Sequence, residues 1–132
     1  MGPASVARPV MWPPTIAADS TYARVARAVL AFHAAHPDDW RACRQMLGAE
    51  WGYDRYPGVC HMIPNAGVTV MALAYGRGEL CRTVEIATMA GWDTDCNAGN
   101  AAAIVGTFQQ VQPGWDKYRK PINDFVIASG VI

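Results

Sequence analysis

Gly91-Trp92-Asp93-Thr94-Asp95-Cys96-Asn97-Ala98-Gly99-Asn100, followed by Ala101-Ala102-Ala103-Ile104-Val105-Gly106, decides how the rest of this chain is read. Two carboxylates stand two residues apart on a glycine-flanked turn that leads into a small-residue helix. On an extended turn, residues i and i+2 project to one side, so Asp93 and Asp95 can converge. Converging carboxylates repel, and one of them keeps its proton unless a cation removes the conflict. Oxygen-only donors suit Mg²⁺, Mn²⁺ or Ca²⁺ rather than zinc, and a helix N-terminus close by favours negative charge. Spacing alone also permits a plainer reading, with Asp95 as a helix cap and Asp93 as a turn residue.

Outward from this stretch, apolar stripes predict helices. Ser20 can cap a first helix on which Tyr22, Val25, Ala26, Val29, Phe32 and His33 recur at three and four. Pro37 ends it. Asp38 or Asp39 can cap a second helix with Trp40, Cys43, Met46 and Leu47, expected to stop at Gly48. Residues 48–64 read as a long packed loop. A third helix from Pro64 carries Val68, Met71, Ala72 and Tyr75 and ends at Gly76. A fourth carries Leu80, Val84 and Ala87 and closes at Gly91. The fifth is expected from about Asn97 to Gln110, kept thin by Gly99, Ala102, Ala103 and Gly106 so that neighbouring backbones approach. Pro121 can start a last helix through Phe125 and Ile127. No alternating strand pattern stands out, so the expected class is all-α, a compact helical bundle.

The 132 residues predict one domain over 19–132, preceded by an irregular arm over 1–18 that carries Pro3, Pro9, Pro13 and Pro14. A hydrophobic fraction of 52% argues against disorder. Charged residues are only 17%, below the roughly 25% typical of soluble domains, which leaves apolar surface for burial against a partner. Eleven basic residues balance eleven acidic ones, so nothing favours nucleic acid or an anionic membrane. No apolar run approaches a membrane span, and the first residues lack the pattern of a signal peptide. Cys43, Cys60, Cys81 and Cys96 show no C-x-x-C pair, and a reducing cytoplasmic setting with free thiols fits best. Cys60-His61 lacks a second pair to complete a zinc site, which favours a packed Cys and a hydrogen-bonded His.

The longer pattern strongly resembles the C-terminal metal motif of the ADP-ribosylglycohydrolase family, which includes the dinitrogenase-reductase-activating glycohydrolases. The resemblance continues in His61-Met62-Ile63-Pro64-Asn65-Ala66 at a helix start and in Ala72-Leu73-Ala74-Tyr75-Gly76. It extends through Trp115 to Lys117, Arg119-Lys120-Pro121-Ile122-Asn123-Asp124-Phe125 and Ala128-Ser129, covering roughly residues 20–132. It implies an all-α fold of about twice this length with two Mg²⁺ in a cleft, holding the ribose diols of ADP-ribose and an attacking water. Asp93 and Asp95 would then be metal ligands, and Gly91 and Trp92 would border the ribose subsite. Cys96 stands where many members place a metal-coordinating threonine. A thiol is a poor Mg²⁺ ligand, so either Cys96 packs or the metal preference shifts.

The family supplies its other ligands from an early Ser/Thr-Asp-Asp segment, and no such segment occurs here. The only adjacent acidic pair is Asp38-Asp39, read as a helix cap. The expectation is therefore a C-terminal half of a Mg²⁺-dependent (or Mn²⁺-dependent) hydrolase of glycosidic bonds to ADP-ribose. Metal occupancy should be low in the isolated chain, with no assignable general base, and a homo-oligomer or complementing chain should complete it. The alternative is a non-catalytic helical binding or structural module with a degenerate site.

Overall fold

The computed structural model describes residues 17–109, 116–123 and 125. Among these the chain is all helical, as expected. The elements are α1 (Thr21–Ala35), α2 (Trp40–Trp51), α3 (Met62–Gly76), α4 (Leu80–Met89), α5 (Thr94–Gln109) and α6 (Asp116–Arg119), then a 3₁₀ turn at Lys120–Ile122. Most of the expected arm over residues 1–18 lies outside the described residues, as do residues 124, 126 and 127 of the last helix expected from Pro121. At the start of that helix the chain instead makes the 3₁₀ turn, and Asn123 follows in the left-handed region at φ 49°.

Local chemistry sets the helix ends. Ser20 Oγ accepts from Ala23 N at 3.2 Å, and Asp39 Oδ1 accepts from Ala42 N at 2.9 Å, each satisfying a donor that the first turn leaves open. Asp38 pairs instead with Arg77 at 2.5 Å on the surface. His61 Nδ1 accepts from Ile63 N at 3.1 Å and caps α3. Helix α2 runs three residues past the expected stop at Gly48. Glycine ends a helix where the chain turns left-handed, and Gly48 does not; its cost inside a helix is about 1 kcal/mol relative to alanine. The added turn is held by Trp51, whose ring stacks 6.3 Å from Tyr56 under the Arg24 guanidinium.

Helix α3 is the hub. It packs against α1, α2, α4 and α5, and residues from Ile63 to Gly76 are buried on several faces, as a helix apolar all round requires. Val25 and Val29 of α1, Cys43 and Leu47 of α2, Met71 and Ala72 of α3, Ile86 and Ala87 of α4 and Ala101 of α5 form one core. Close approach is set at Gly67, where a Cβ would stand 2.7 Å from Leu47 Cδ2 and 3.2 Å from Val25 Cγ2. Gly99 and Gly106 of α5 do not serve the purpose expected of them. Among the described residues, a Cβ on Gly99 or Gly106 would meet nothing within 4 Å.

No helix among the described residues is long and apolar enough to cross a membrane. The hub arrangement brings the N-terminus of α3 beside the N-terminus of α5, which places the loop before α3 against the Asp motif.

Candidate metal centre at the start of helix α5

Between α4 and α5 the chain must reverse within a few residues. Gly91 does so at φ 74°, and Trp92 follows at φ 64°. A left-handed backbone is uncommon for an aromatic residue and costs on the order of 1–3 kcal/mol unless its surroundings hold it. They do so at the indole. The Arg44 guanidinium of α2 lies 3.5 Å over the ring centroid, and Arg44 Nε donates to the Ala90 carbonyl at 2.7 Å. Tyr53 meets the same ring edge-on, centroids 5.4 Å apart at 85°. Trp92 O then accepts from Thr94 N at 3.0 Å, and Asp93 O from Asn97 N at 3.0 Å. A three-residue turn centred on Asp93 thus opens directly into α5.

The two carboxylates converge, but by a different route from the one expected. Asp95 stands in the first turn of α5, not on an extended segment. Donor atoms of Asp93, Asp95 and Cys96 can all lie within 4.8 Å of one another. Asp93 is half-buried, while Asp95 and Cys96 are exposed. Their place at a helix N-terminus favours negative charge.

Residues from distant segments orient Asp93. Asn65 Nδ2 donates to Asp93 Oδ2, and Tyr53 OH donates to Asn65 Oδ1 at 2.7 Å. The Tyr53–Asn65–Asp93 chain fixes the carboxylate from behind, as outer-sphere partners fix metal ligands. The Cys96 thiol donates to Asp93, and with Asn65, Asp95 and Cys60 it holds that carboxyl below the usual carboxylate range against partial desolvation. The same bond to Asp93 pushes the Cys96 thiol up. Cys60 is raised too, by desolvation first and then by the charge of Asp93.

Asp93 and Cys96 line a cleft of about 520 Å³, within the roughly 300–1,000 Å³ range of small-molecule sites. Asn100, Ala103 and Ile104 of α5 form one wall. Met62, Asn65, Ala66 and Thr69 of α3 form the other, with Tyr22 of α1 and Cys60 at the rim. Gly91 and Trp92 shape the turn behind the carboxylates. The Trp92 ring is engaged by Arg44 and Tyr53, and the Asp38-Asp39 pair is spent on the Arg77 contact and the α2 cap.

Four contributors went unread in the sequence. Cys60 was expected to be packed and is exposed. Asn65, Tyr53 and Arg44 act on the motif across the fold, and no residue spacing signals such contacts. The one available signal was the polar Asn65 in the apolar first turn of α3.

A family model described as ADP-ribosylglycohydrolase matches residues 4–117. The match begins inside the arm expected over residues 1–18. No curated protein and no solved structure matches the chain. With the all-α bundle, the paired aspartates and a match over most of the 132 residues, the chain belongs to the ADP-ribosylglycohydrolase family.

Proposed function

We propose that this chain is a hydrolase of glycosidic bonds to ADP-ribose whose Asp93 and Asp95 hold a divalent cation in the cleft. The family acts on ADP-ribosylated substrates through metal-dependent glycohydrolase chemistry. The observation that carries the reading onto these residues is the convergence of Asp93 and Asp95 at the edge of the cleft that Asp93 lines, with Asp93 oriented by Asn65 and Tyr53. The chemistry of the donors fits a cation, since two carboxylates this close otherwise oppose each other.

A bound divalent ion supplies Lewis acidity toward ribose oxygens and lowers the pKa of a water. The chain's own residues do the positioning. Asn65 and Tyr53 hold Asp93 in one rotamer. Arg44 and Tyr53 clamp Trp92, which fixes the turn and the start of α5 together. Positioning of this kind lowers the barrier by removing reorganisation at the moment of reaction.

Two aspartates give a divalent ion few oxygen donors, and among the described residues the cleft lining holds one carboxylate, Asp93. Further donors are supplied by another chain or a second copy. The apolar rim is consistent with such a partner, since Met62 is 65% exposed and Ile104 51%.

The test is release of free ADP-ribose from an N- or O-linked ADP-ribosyl substrate, with Mg²⁺ or Mn²⁺ added. Turnover that Asp93→Asn removes supports the hydrolase reading. No turnover alone, restored by a chain bearing an acidic N-terminal half, supports a divided site. No turnover under either condition refutes catalysis and leaves a helical binding module.

A further inference from the structure

A second cavity lies where the start of α1 meets the end of α2, and the proposed hydrolysis uses none of it. It holds about 560 Å³ and is lined by Arg24, Glu50, Trp51, Arg55 and Tyr56, a set that shares no residue with the cleft lining. One turn builds it. Gly52 ends α2, and its carbonyl accepts from both Arg55 N and Tyr56 N at 3.0 Å. A Cβ on Gly52 would stand 2.6 Å from Gly48 O, so glycine is what lets the chain fold back this tightly. The reversal brings Tyr56 parallel to Trp51, ring planes 3° apart and centroids 6.3 Å apart. It also returns Arg55 to α2, where its Nε donates to Ala49 O at 3.2 Å.

The charges that line this cavity do not neutralise one another. Arg24, Arg55 and Glu50 stand around it together, yet the ion pairs among the described residues are Arg77 with Asp38 and Lys117 with Glu85. The Arg24 guanidinium rests 5.9 Å from the Trp51 ring centroid, near the outer reach of a cation–π contact. Arg55 engages its Nε alone. Among the described residues, the terminal nitrogens of both guanidinia are therefore without a hydrogen-bond partner.

These groups select a ligand by its chemistry. Two guanidinium forks against one carboxylate leave a positive balance, and each fork matches two oxygens of a phosphate. A carboxylate ligand occupies one fork, whereas a phosphate monoester, with up to two negative charges, occupies both. The parallel indole and phenol rings offer a surface on which a flat ring stacks. Their separation is too small for a third ring between them, which needs two contact distances of about 3.5 Å, so the stack forms on their outer surface. The Glu50 carboxylate only accepts. It repels a bare anion and favours one that also carries an N–H donor.

We infer that this cavity binds a phosphate monoester carried on a flat, N–H-donating ring, as in a nucleoside monophosphate. Arg24 and Arg55 take the phosphate, the Trp51–Tyr56 pair takes the ring, and Glu50 accepts from its N–H groups. The site stands apart from the metal and substrate proposed for the cleft, so the two readings fail independently.

GMP is the probe, because its ring edge presents two adjacent N–H donors. It is titrated by calorimetry into the purified chain with a chelator and no divalent cation, beside inorganic phosphate and guanosine as its two halves. GMP is expected to bind roughly tenfold or more tighter than either half. Arg24→Gln and Arg55→Gln should each weaken GMP binding about tenfold, the scale of one charge-assisted hydrogen bond. Both side chains are exposed, so the fold is kept, checked by circular dichroism. Glu50→Gln is expected to weaken GMP while tightening inorganic phosphate, and Asp93→Asn to leave GMP binding as it is. Absence of GMP binding overturns the inference. So does a match between GMP and either half, or tightening of both GMP and phosphate by Glu50→Gln, which a plain basic patch would give. Loss of GMP binding in Asp93→Asn overturns it as well and assigns the nucleotide to the cleft.

Discussion

Gly76 and Gly99 make a matched pair of substitutions whose outcomes should have opposite signs. A Cβ on Gly76 would stand 2.0 Å from Thr83 Oγ1 and 2.9 Å from both Thr83 Cα and Cβ. The hydroxyl can rotate away, but the Cα is backbone, and Thr83 is fully buried. Helix α4 must therefore shift off α3. Overpacking of this kind costs about 1–3 kcal/mol, and Gly76, as the last residue of α3, recovers little in helix propensity. The net expectation for Gly76→Ala is a loss of about 2 kcal/mol. Gly99 lies inside α5, is exposed, and its Cβ would meet nothing within 4 Å among the described residues. Gly99→Ala should then gain about 1 kcal/mol from helix propensity alone. With about 4 °C of Tm per kcal/mol at this chain length, the two variants should move by about −8 °C and +4 °C. Thermal unfolding followed by circular dichroism reads both. A Gly76→Ala variant as stable as wild type would refute the α3–α4 contact. A Gly99→Ala variant that loses stability would contradict the open space at that position of α5.

Other perturbations probe the turn and its supports. Arg44→Ala removes the stack on Trp92 and the hydrogen bond to Ala90, and should cost about 2–3 kcal/mol; an unchanged Tm and near-ultraviolet signal from the indole would contradict the clamp. Asn65→Ala should weaken divalent-cation binding about 10–100-fold with a smaller effect on the fold, and an unchanged affinity by calorimetry would remove Asn65 from its orienting role. Burial pushes Cys43 up to about 11 and Tyr75 up to about 12. Folded-state values above the unfolded ones mean that this stability is complete below the ordinary thiol pKa of about 8.5 and is lost as pH rises through 11 and then 12. Tm should therefore hold to about pH 8 and fall above it, and a Tm that stays flat through the Cys43 range would refute the buried thiol.

What the sequence made legible follows the range of each interaction. Ser20 and Asp39 cap the helices they were expected to cap, because capping is decided within three residues. The end of α2 was misplaced because Gly48 was weighed without Trp51, whose stacking partner Tyr56 and cation Arg24 hold the last turn. Helix α6 is only four residues long, too short for any periodicity to show. The same division runs through the site. Asp93 and Asp95 were legible as neighbours in the chain. Cys60, Asn65, Tyr53 and Arg44 reach them only through the packing of α2 and α3 against the turn, and that packing is a property of the assembled bundle. Cys60 was misread for a physical reason. Cysteine is usually buried, and here the loop before α3 holds it at the edge of a cleft beside a carboxylate.

Binding of ADP-ribose to the purified chain, measured by calorimetry with and without a divalent cation, reaches the function most directly. Binding that requires the cation and disappears in Asp93→Asn is the predicted result. Binding that is equal with and without the cation, or that survives Asp93→Asn, would contradict a metal-held ADP-ribose site at the start of α5.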